Sequence, residues 1–431
     1  MKKIFIVLIL LCLTGCSVKE KKTISEEETN LRYLSAAQLY SLVTIFYPPI
    51  SMEKANEDYL NLLESIKNGA SDFEYARNKE MLLNSTLSLH NIYSPSTSEL
   101  MEIGVLPVRL IYNEGKFYVK QISEGSSIPK FVEIISVNGV AILEWLEIEY
   151  PSIYLQCNTN NDFNYLISYL ESGYLGDKVT LEYAYNGEVI KEELGYEKGR
   201  RWLVGSGSEI NIDTIYKTSI TFIGVIDDVV YIKVYNFVGL PSELYFETLD
   251  QLFDEYDKVI FDLRGNSGGN SSYGMEYIFP VLSNDFNSIG VQYHNYSSED
   301  KGYGLGGVYG ESMVYKSGTV RYEVEAKHDL KVVVLIDQTC VSACEAIAYY
   351  ESQQENAILM GENTGGQFSQ ITTVELADGS SVTISVEVGL VGGVMLNSIG
   401  VAPDIVIDFG RIYLSEGTDA ILTDALEYLE K

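Results

Sequence analysis

Residues 331–367, KVVVLIDQTCVSACEAIAYYESQQENAILMGENTGGQ, decide the fold. Five consecutive apolar residues (VVVLI) predict a strand buried on both faces. A short polar turn follows, then a helix beginning beside Ser342, a second strand (AILMG) and a Gly-rich loop. This strand–helix–strand order is the unit of an α/β sheet. Ser342 stands where turn becomes helix, and two readings meet there. Ser342-Ala343-Cys344-Glu345 has the S-x-x-E spacing of a capping box, in which serine caps the helix and glutamate reaches back. The same address presents free backbone N–H groups and a positive dipole end to a developing anion, which suits a nucleophile. Local sequence does not separate the two.

The chain has 431 residues, enough for two or three domains, and its 46% hydrophobic and 12% aromatic content suits packed cores rather than disorder. Thirty Lys+Arg against 61 Asp+Glu give a net charge of −31. With no basic cluster, nucleic acid is excluded as a partner, because its binding needs many phosphate-neutralising cations. Cys340 and Cys344 have no histidine or further cysteine nearby to complete a metal site. Neither metal nor cofactor is expected, and the two cysteines read as small buried residues beside a turn, with no disulfide framework.

Lys2 and Lys3 precede an apolar run, Ile4 to Leu13, too short to span a bilayer. The run closes with Leu13-Thr14-Gly15-Cys16, which resembles the lipobox of bacterial lipoproteins. That resemblance implies a signal peptide over 1–15 and lipid on Cys16, with a polar tether over 16–30. The expected location is a bacterial cell envelope, on the extracytoplasmic face of a membrane, held to the membrane surface by the N-terminal lipid.

Residues 31–100 show helical periodicity, broken at Pro48-Pro49, and end in a segment containing His90; they predict an N-terminal helical domain. Over 101–196 the period changes to strands (VLPVRLIY, KFYVKQI, FVEIISVNGVAI, KVTLEYAY, EVIKEEL) with Asn-Gly turns. The piece VEIISVNGVAI resembles the strand–turn segment of PDZ domains, which would capture an extended chain end by strand addition. A generic hairpin is the other reading. From 197 to 431, strands at 229–237 and 258–263 flank a helix at 243–256 and lead into the opening stretch. Residues 299–320 read as a loop near the cleft.

YIKVYNF, VIFDLRGNSGG, VLIDQTCVSACEAIA, GENTGG and GVAPDIVID occur in this order. Together they resemble the C-terminal-processing and tricorn-core family of serine peptidases, from about residue 31 to the end. The resemblance implies a ClpP/crotonase-like α/β core with an N-terminal helical cap and a PDZ-like β-rich insert. It places Ser342 at the nucleophile position, with an oxyanion hole from the N–H of Ala343 and one of Gly268 or Gly269. Asp262 reads as structural, pairing with Arg264. The substrate would be a peptide or an unfolded protein.

Tail-specific members of the family take a lysine just after G-E-x-T-x-G as base. Here that position is Gln367, and no lysine lies between Ser342 and Arg411. The tricorn-like branch uses a histidine at the end of the N-terminal helical part, which His90 matches; His294 and His328 match nothing. As a base of ordinary pKa it would give activity rising through roughly pH 6–7. Two departures stand out: Asn397 occupies the place of the orienting glutamate, and Leu89 that of a serine. The resulting expectation is a lipid-anchored serine endopeptidase with Ser342, His90 and Asn397 at its centre. The alternative is a catalytically impaired peptide- or lipid-binding protein on the same fold.

Overall fold

A computed structural model describes residues 24–45, 51–86, 88, 90–160, 163–203, 210–282, 291–294, 327–391, 394–397, 399–414 and 419–431. The leader 1–15, Cys16, Leu89 and the loop 299–320 lie outside the described residues.

Seven strands form the central sheet, in the order Asp213–Lys217, Thr221–Ile226, Val229–Val234, Lys258–Asp262, Lys331–Ile336, Ala357–Gly361 and Ile405–Val406. The first three pair antiparallel and every later pair is parallel. The apolar run of Lys331–Ile336 is buried along its length because both faces are covered. Val332, Val334 and Ile336 pack under helices Glu243–Phe253, Ser271–Ile278 and Ala343–Glu351. Val333 and Leu335 face helix Ala420–Leu429 on the other side. Each aliphatic side chain so removed from water contributes about 1.5–3 kcal/mol. The C-terminal ends of two adjacent parallel strands, at Asp262 and Ile336, release the two loops that matter below. Such ends are where open α/β sheets place their ligand crevice.

The N-terminal helices Glu26–Ile45, Met52–Lys67 and Asp72–Leu83 do not close a core alone. Their apolar faces share one cluster with Leu376, Val382 and Ile384, residues at or within a hairpin of Ser369–Glu375 and Ser381–Val391. Lys79, fully buried, reaches Asp378 at 2.6 Å and Glu99 at 2.8 Å. Strand Ile92–Ser94 then pairs with the start of Ser381–Val391, which carries His90 to the hairpin.

Residues 108–195 form an antiparallel sheet, Val108–Asn113, Lys116–Ile122, Glu133–Val137, Lys178–Tyr185 and Glu188–Gly195. It shares a core with helices Ile142–Glu149, Pro151–Asn160 and Phe163–Glu171. Asn138 and Gly139, at φ 52° and 79°, form the tight turn that pairs Val137 with Val140. Among the described residues, no helix is long and apolar enough to cross a membrane.

Candidate active site

Ser342 opens helix Ala343–Glu351 with φ 59° and ψ −127°. A non-glycine residue pays about 1–3 kcal/mol for such a conformation, so the surroundings must enforce it. They do so through the backbone: Ser342 N–H donates to the carbonyl of Gln367 at 3.1 Å, and Val341 N–H to that of Asn266 at 3.3 Å. Asp337 Oδ1 accepts from the N–H groups of Thr339, Cys340 and Gly265, tying the turn to the glycine loop.

Glu345 reaches back as a capping box requires, accepting from Ser342 N–H at 3.2 Å. It also accepts from Gln367 N–H at 2.8 Å, Gly366 N–H at 2.6 Å and the Thr364 hydroxyl at 2.8 Å. The glutamate therefore anchors the whole 364–367 loop to the helix start, a larger task than capping. Burial pushes its carboxyl up to about 7 despite those donors.

Cys340 and Cys344, on either side of Ser342, form a disulfide with Cα atoms 5.4 Å apart. This corrects the expectation of two unlinked cysteines. One cysteine precedes the turn and the other lies in the first helical turn, so a spacing of four brings them within bonding geometry.

The sheet brings the loop 265–269 against the same turn. Gly268 has φ 90°, and a Cβ there would lie 2.7 Å from Ser342 Cβ and 2.9 Å from Ala343 N. Gly269, at φ 136°, is pressed on Phe237, whose carbonyl a Cβ would meet at 2.5 Å. Only glycine fits either place. The two candidate oxyanion donors in this loop differ: Gly268 N–H already donates to Asn266 Oδ1 at 2.8 Å. Neither Gly269 N–H nor Ala343 N–H is a donor among the described hydrogen bonds. Asp262 is fully buried and pairs with Arg264 at 2.7 Å and Lys233 at 3.1 Å. Burial alone would raise its pKa; the two cations hold it below the usual carboxylate range.

His90 is buried at 6% exposure. Its Nδ1 is 2.9 Å from Ser369 Oγ, only two residues beyond Gln367, whose carbonyl holds Ser342. Ser369 Oγ is 2.7 Å from Ser385 Oγ, which is 2.8 Å from Ser88 Oγ. Ser88 accepts from His90 N–H at 3.2 Å. Asn91 Oδ1 takes Ser385 N–H at 2.8 Å, and Gln156 donates to the Ser88 carbonyl at 2.9 Å, fixing this segment from two sides. Burial pulls the imidazole pKa down to about 4, with only hydrogen bonding to the Ser369 backbone opposing it.

Asn397 is buried in the turn before Gly400, but no described hydrogen bond joins it to His90. The group on Nδ1 is Ser369 instead of Asn397. The sequence offered no reason to single out Ser369, Ser385 or Ser88 among many serines, because hairpin register alone brings them together. His328 lies 3.8 Å from Asp250 and packs against Phe253, residues of a helix on the sheet's covered face. The side chain of His294 lies outside the described residues.

Residues 228–407 match the model of peptidase family S41. The C-terminal processing peptidase of Tetradesmus obliquus chloroplasts is 36% identical over 78 residues, 18% of this chain and 17% of that protein. The carboxy-terminal processing protease CtpA of Bacillus subtilis (strain 168) is 26% identical over 176 residues, 40% of this chain and 34% of that protein. These matches thus span about a third or less of the relatives' own lengths. The fold extends further: mature CPAF superposes with a TM-score of 0.61 over 94% of this chain and 96% of its own, at 13% identity. The ordered motifs and the matched core make one statement: residues 228–407 are similar to peptidase family S41, and the curated relatives they resemble are C-terminal processing peptidases.

Proposed function

We propose that the protein is a serine endopeptidase of the cell envelope, held to the extracytoplasmic face of a membrane by lipid on Cys16. Ser342 attacks the peptide carbonyl and His90 takes its proton, then returns it to the leaving amine. The N–H groups of Ala343 and Gly269 receive the oxyanion; Gly268 is less suited because Asn266 already holds its N–H. The single observation that carries this reading is the enforced φ of 59° at Ser342, on a helix N-terminus and against a glycine that leaves no room for a side chain. Among the described hydrogen bonds Gln367 supplies only its backbone, which agrees with a base other than lysine. A disulfide beside Ser342 suits an oxidising, extracytoplasmic location.

A second reading, a peptide- or lipid-binding protein without turnover, draws on the absence of any charged partner for His90 among the described residues. Among the described residues, an imidazolium there has only the hydroxyl and the backbone of Ser369 to stabilise it. One experiment separates the two. The purified chain is incubated with a fluorophosphonate and its labelled residue mapped by mass spectrometry, with Ser342→Ala and His90→Ala as controls. Modification at Ser342 that is lost in His90→Ala supports the peptidase. An unlabelled wild-type protein that leaves peptides uncut supports the binding protein.

A further inference from the structure

The four contacts around His90 close into a ring. Nδ1 meets Ser369, Ser369 meets Ser385, Ser385 meets Ser88, and Ser88 accepts the backbone N–H of His90 itself. All three hydroxyls belong to buried residues, and no carboxylate is among their described partners. A hydroxyl both donates and accepts, whereas an ionised carboxylate only accepts. The ring therefore has two consistent proton arrangements. In the first, His90 N–H donates to Ser88, Ser88 to Ser385, Ser385 to Ser369, and Ser369 to Nδ1. Every hydroxyl proton then has an acceptor inside the ring, and the imidazole proton must sit on Nε2. In the second, Nδ1–H donates to Ser369, Ser369 to Ser385, and Ser385 to Ser88, whose own proton is turned out of the ring. Only this arrangement leaves Nε2 with a lone pair to accept a proton.

We infer that Ser369, Ser385 and Ser88 form a closed hydroxyl relay that stands in for an acidic group and sets which nitrogen of His90 carries the proton, with the Nε2–H form at rest. The resting form follows from burial: each arrangement leaves one proton outside the ring, either Nε2–H on His90, which keeps 6% exposure, or the hydroxyl of Ser88, which keeps none, and a buried unmade hydrogen bond costs about 1–3 kcal/mol. A carboxylate on Nδ1 would enforce the Nδ1–H form outright. Here the ring must reverse direction before His90 can act as a base. When Nε2 takes the Ser342 proton, the imidazolium keeps its Nδ1–H on Ser369, and the reversed hydroxyl dipoles turn their oxygen ends toward it. These serines are positioning residues; none touches substrate.

The inference rests on His90 being the base, so its test reads the imidazole directly. The chain has three histidines; 15N ring spectra of the full protein, assigned with His294→Gln and His328→Gln, report the tautomer of His90 near pH 7. The expected wild-type pattern is a protonated Nε2 and an unprotonated Nδ1. Ser369→Thr, which keeps the hydroxyl, should preserve it. Ser369→Val and Ser385→Ala should each give a mixture, and Ser369→Asp should reverse the pattern and raise the His90 midpoint by more than one pH unit. Fluorophosphonate labelling at Ser342 should quicken at least tenfold in Ser369→Asp. A wild-type Nδ1–H form, or a tautomer unmoved in folded Ser369→Val and Ser385→Ala, overturns the relay. If the spectra behave as expected but Ser342 is never labelled, the relay stands and the peptidase reading falls.

Discussion

Gly268→Ala tests the closeness of the glycine loop to the candidate nucleophile. The new Cβ would start 2.7 Å from Ser342 Cβ and 2.7 Å from the Val341 carbonyl oxygen. Carbon atoms at rest sit about 3.5–4.0 Å apart, so roughly 0.8 Å or more must be opened. The loop has little freedom to retreat: Gly268 donates to Asn266 Oδ1, and its carbonyl accepts from Phe237 N–H at 2.8 Å. The displacement therefore falls on Ser342 and Ala343, the hydroxyl and N–H proposed to meet one carbonyl. A misplacement near 1 Å costs on the order of 10²-fold in rate, while the strained φ adds about 1–3 kcal/mol against folding. The assay is the second-order rate of fluorophosphonate labelling at Ser342, by intact mass, beside a thermal melt. A loss of ten- to a hundredfold in rate is expected in a protein still folded at assay temperature. Labelling at the wild-type rate in folded Gly268→Ala would refute the placement of the loop against the reacting atoms.

Four further outcomes follow from the geometry. Burial pulls His90 down to about 4, so labelling in the free protein should be half-maximal near pH 4 and flat through pH 6–7, against the ordinary histidine limb expected from sequence. Glu351, fully buried with neither carboxylate oxygen hydrogen-bonded among the described residues, has its pKa pushed up to about 8 by burial. The folded state holds a proton that the unfolded state releases above about pH 4.5, so this group's contribution is intact at low pH and lost as pH rises toward 8. Glu351→Met should remove a penalty of roughly 3 kcal/mol at pH 7; urea midpoints differing equally at pH 5 and pH 8 would contradict it. Lys79→Met strands Glu99 and Asp378 and should cost about 3–5 kcal/mol, seen as a lower denaturation midpoint. The double change Cys340→Ala, Cys344→Ala should cost roughly 2 kcal/mol in the chain-entropy model, because the closed loop is short. Alkylation of the unfolded wild-type chain without reductant should modify neither cysteine.

Much of the core was legible because its signals are local. VVVLI reads as a buried strand from composition alone, and the serine at the strand–turn–helix junction follows from spacing. The glycines at 268 and 269 announce a backbone approach, though not what approaches. His90 came from the resemblance, since nothing in its neighbours distinguishes a base from a buried histidine. What sequence hid was whatever depends on register. Ser369 and Ser385 meet across a hairpin whose pairing shifts by one residue at Gln370 and Ile371; without that shift, different side chains would share a face. The disulfide was hidden for a different reason: four residues look too few to bridge until a turn folds them onto one helical step. Asn397 stands at a motif position, yet Nδ1 of His90 has a nearer partner.

The hairpin of Ser369–Glu375 and Ser381–Val391 receives the N-terminal helices and the strand after His90, and it carries the hydroxyl that meets the imidazole. Its contacts with that first segment span about 300 positions: 294 from Ser385 to Asn91 and 299 from Lys79 to Asp378. A chain synthesised from its N-terminus presents His90 early and this hairpin late. Loop closure over such separations is slow, so the helices wait with an unfilled apolar face while the intervening modules fold. His90 and the loop that holds Ser342 are thus brought together last, by one docking event. Under the proposed function, the site that would attack peptide bonds is complete only after this hairpin has been made and has docked.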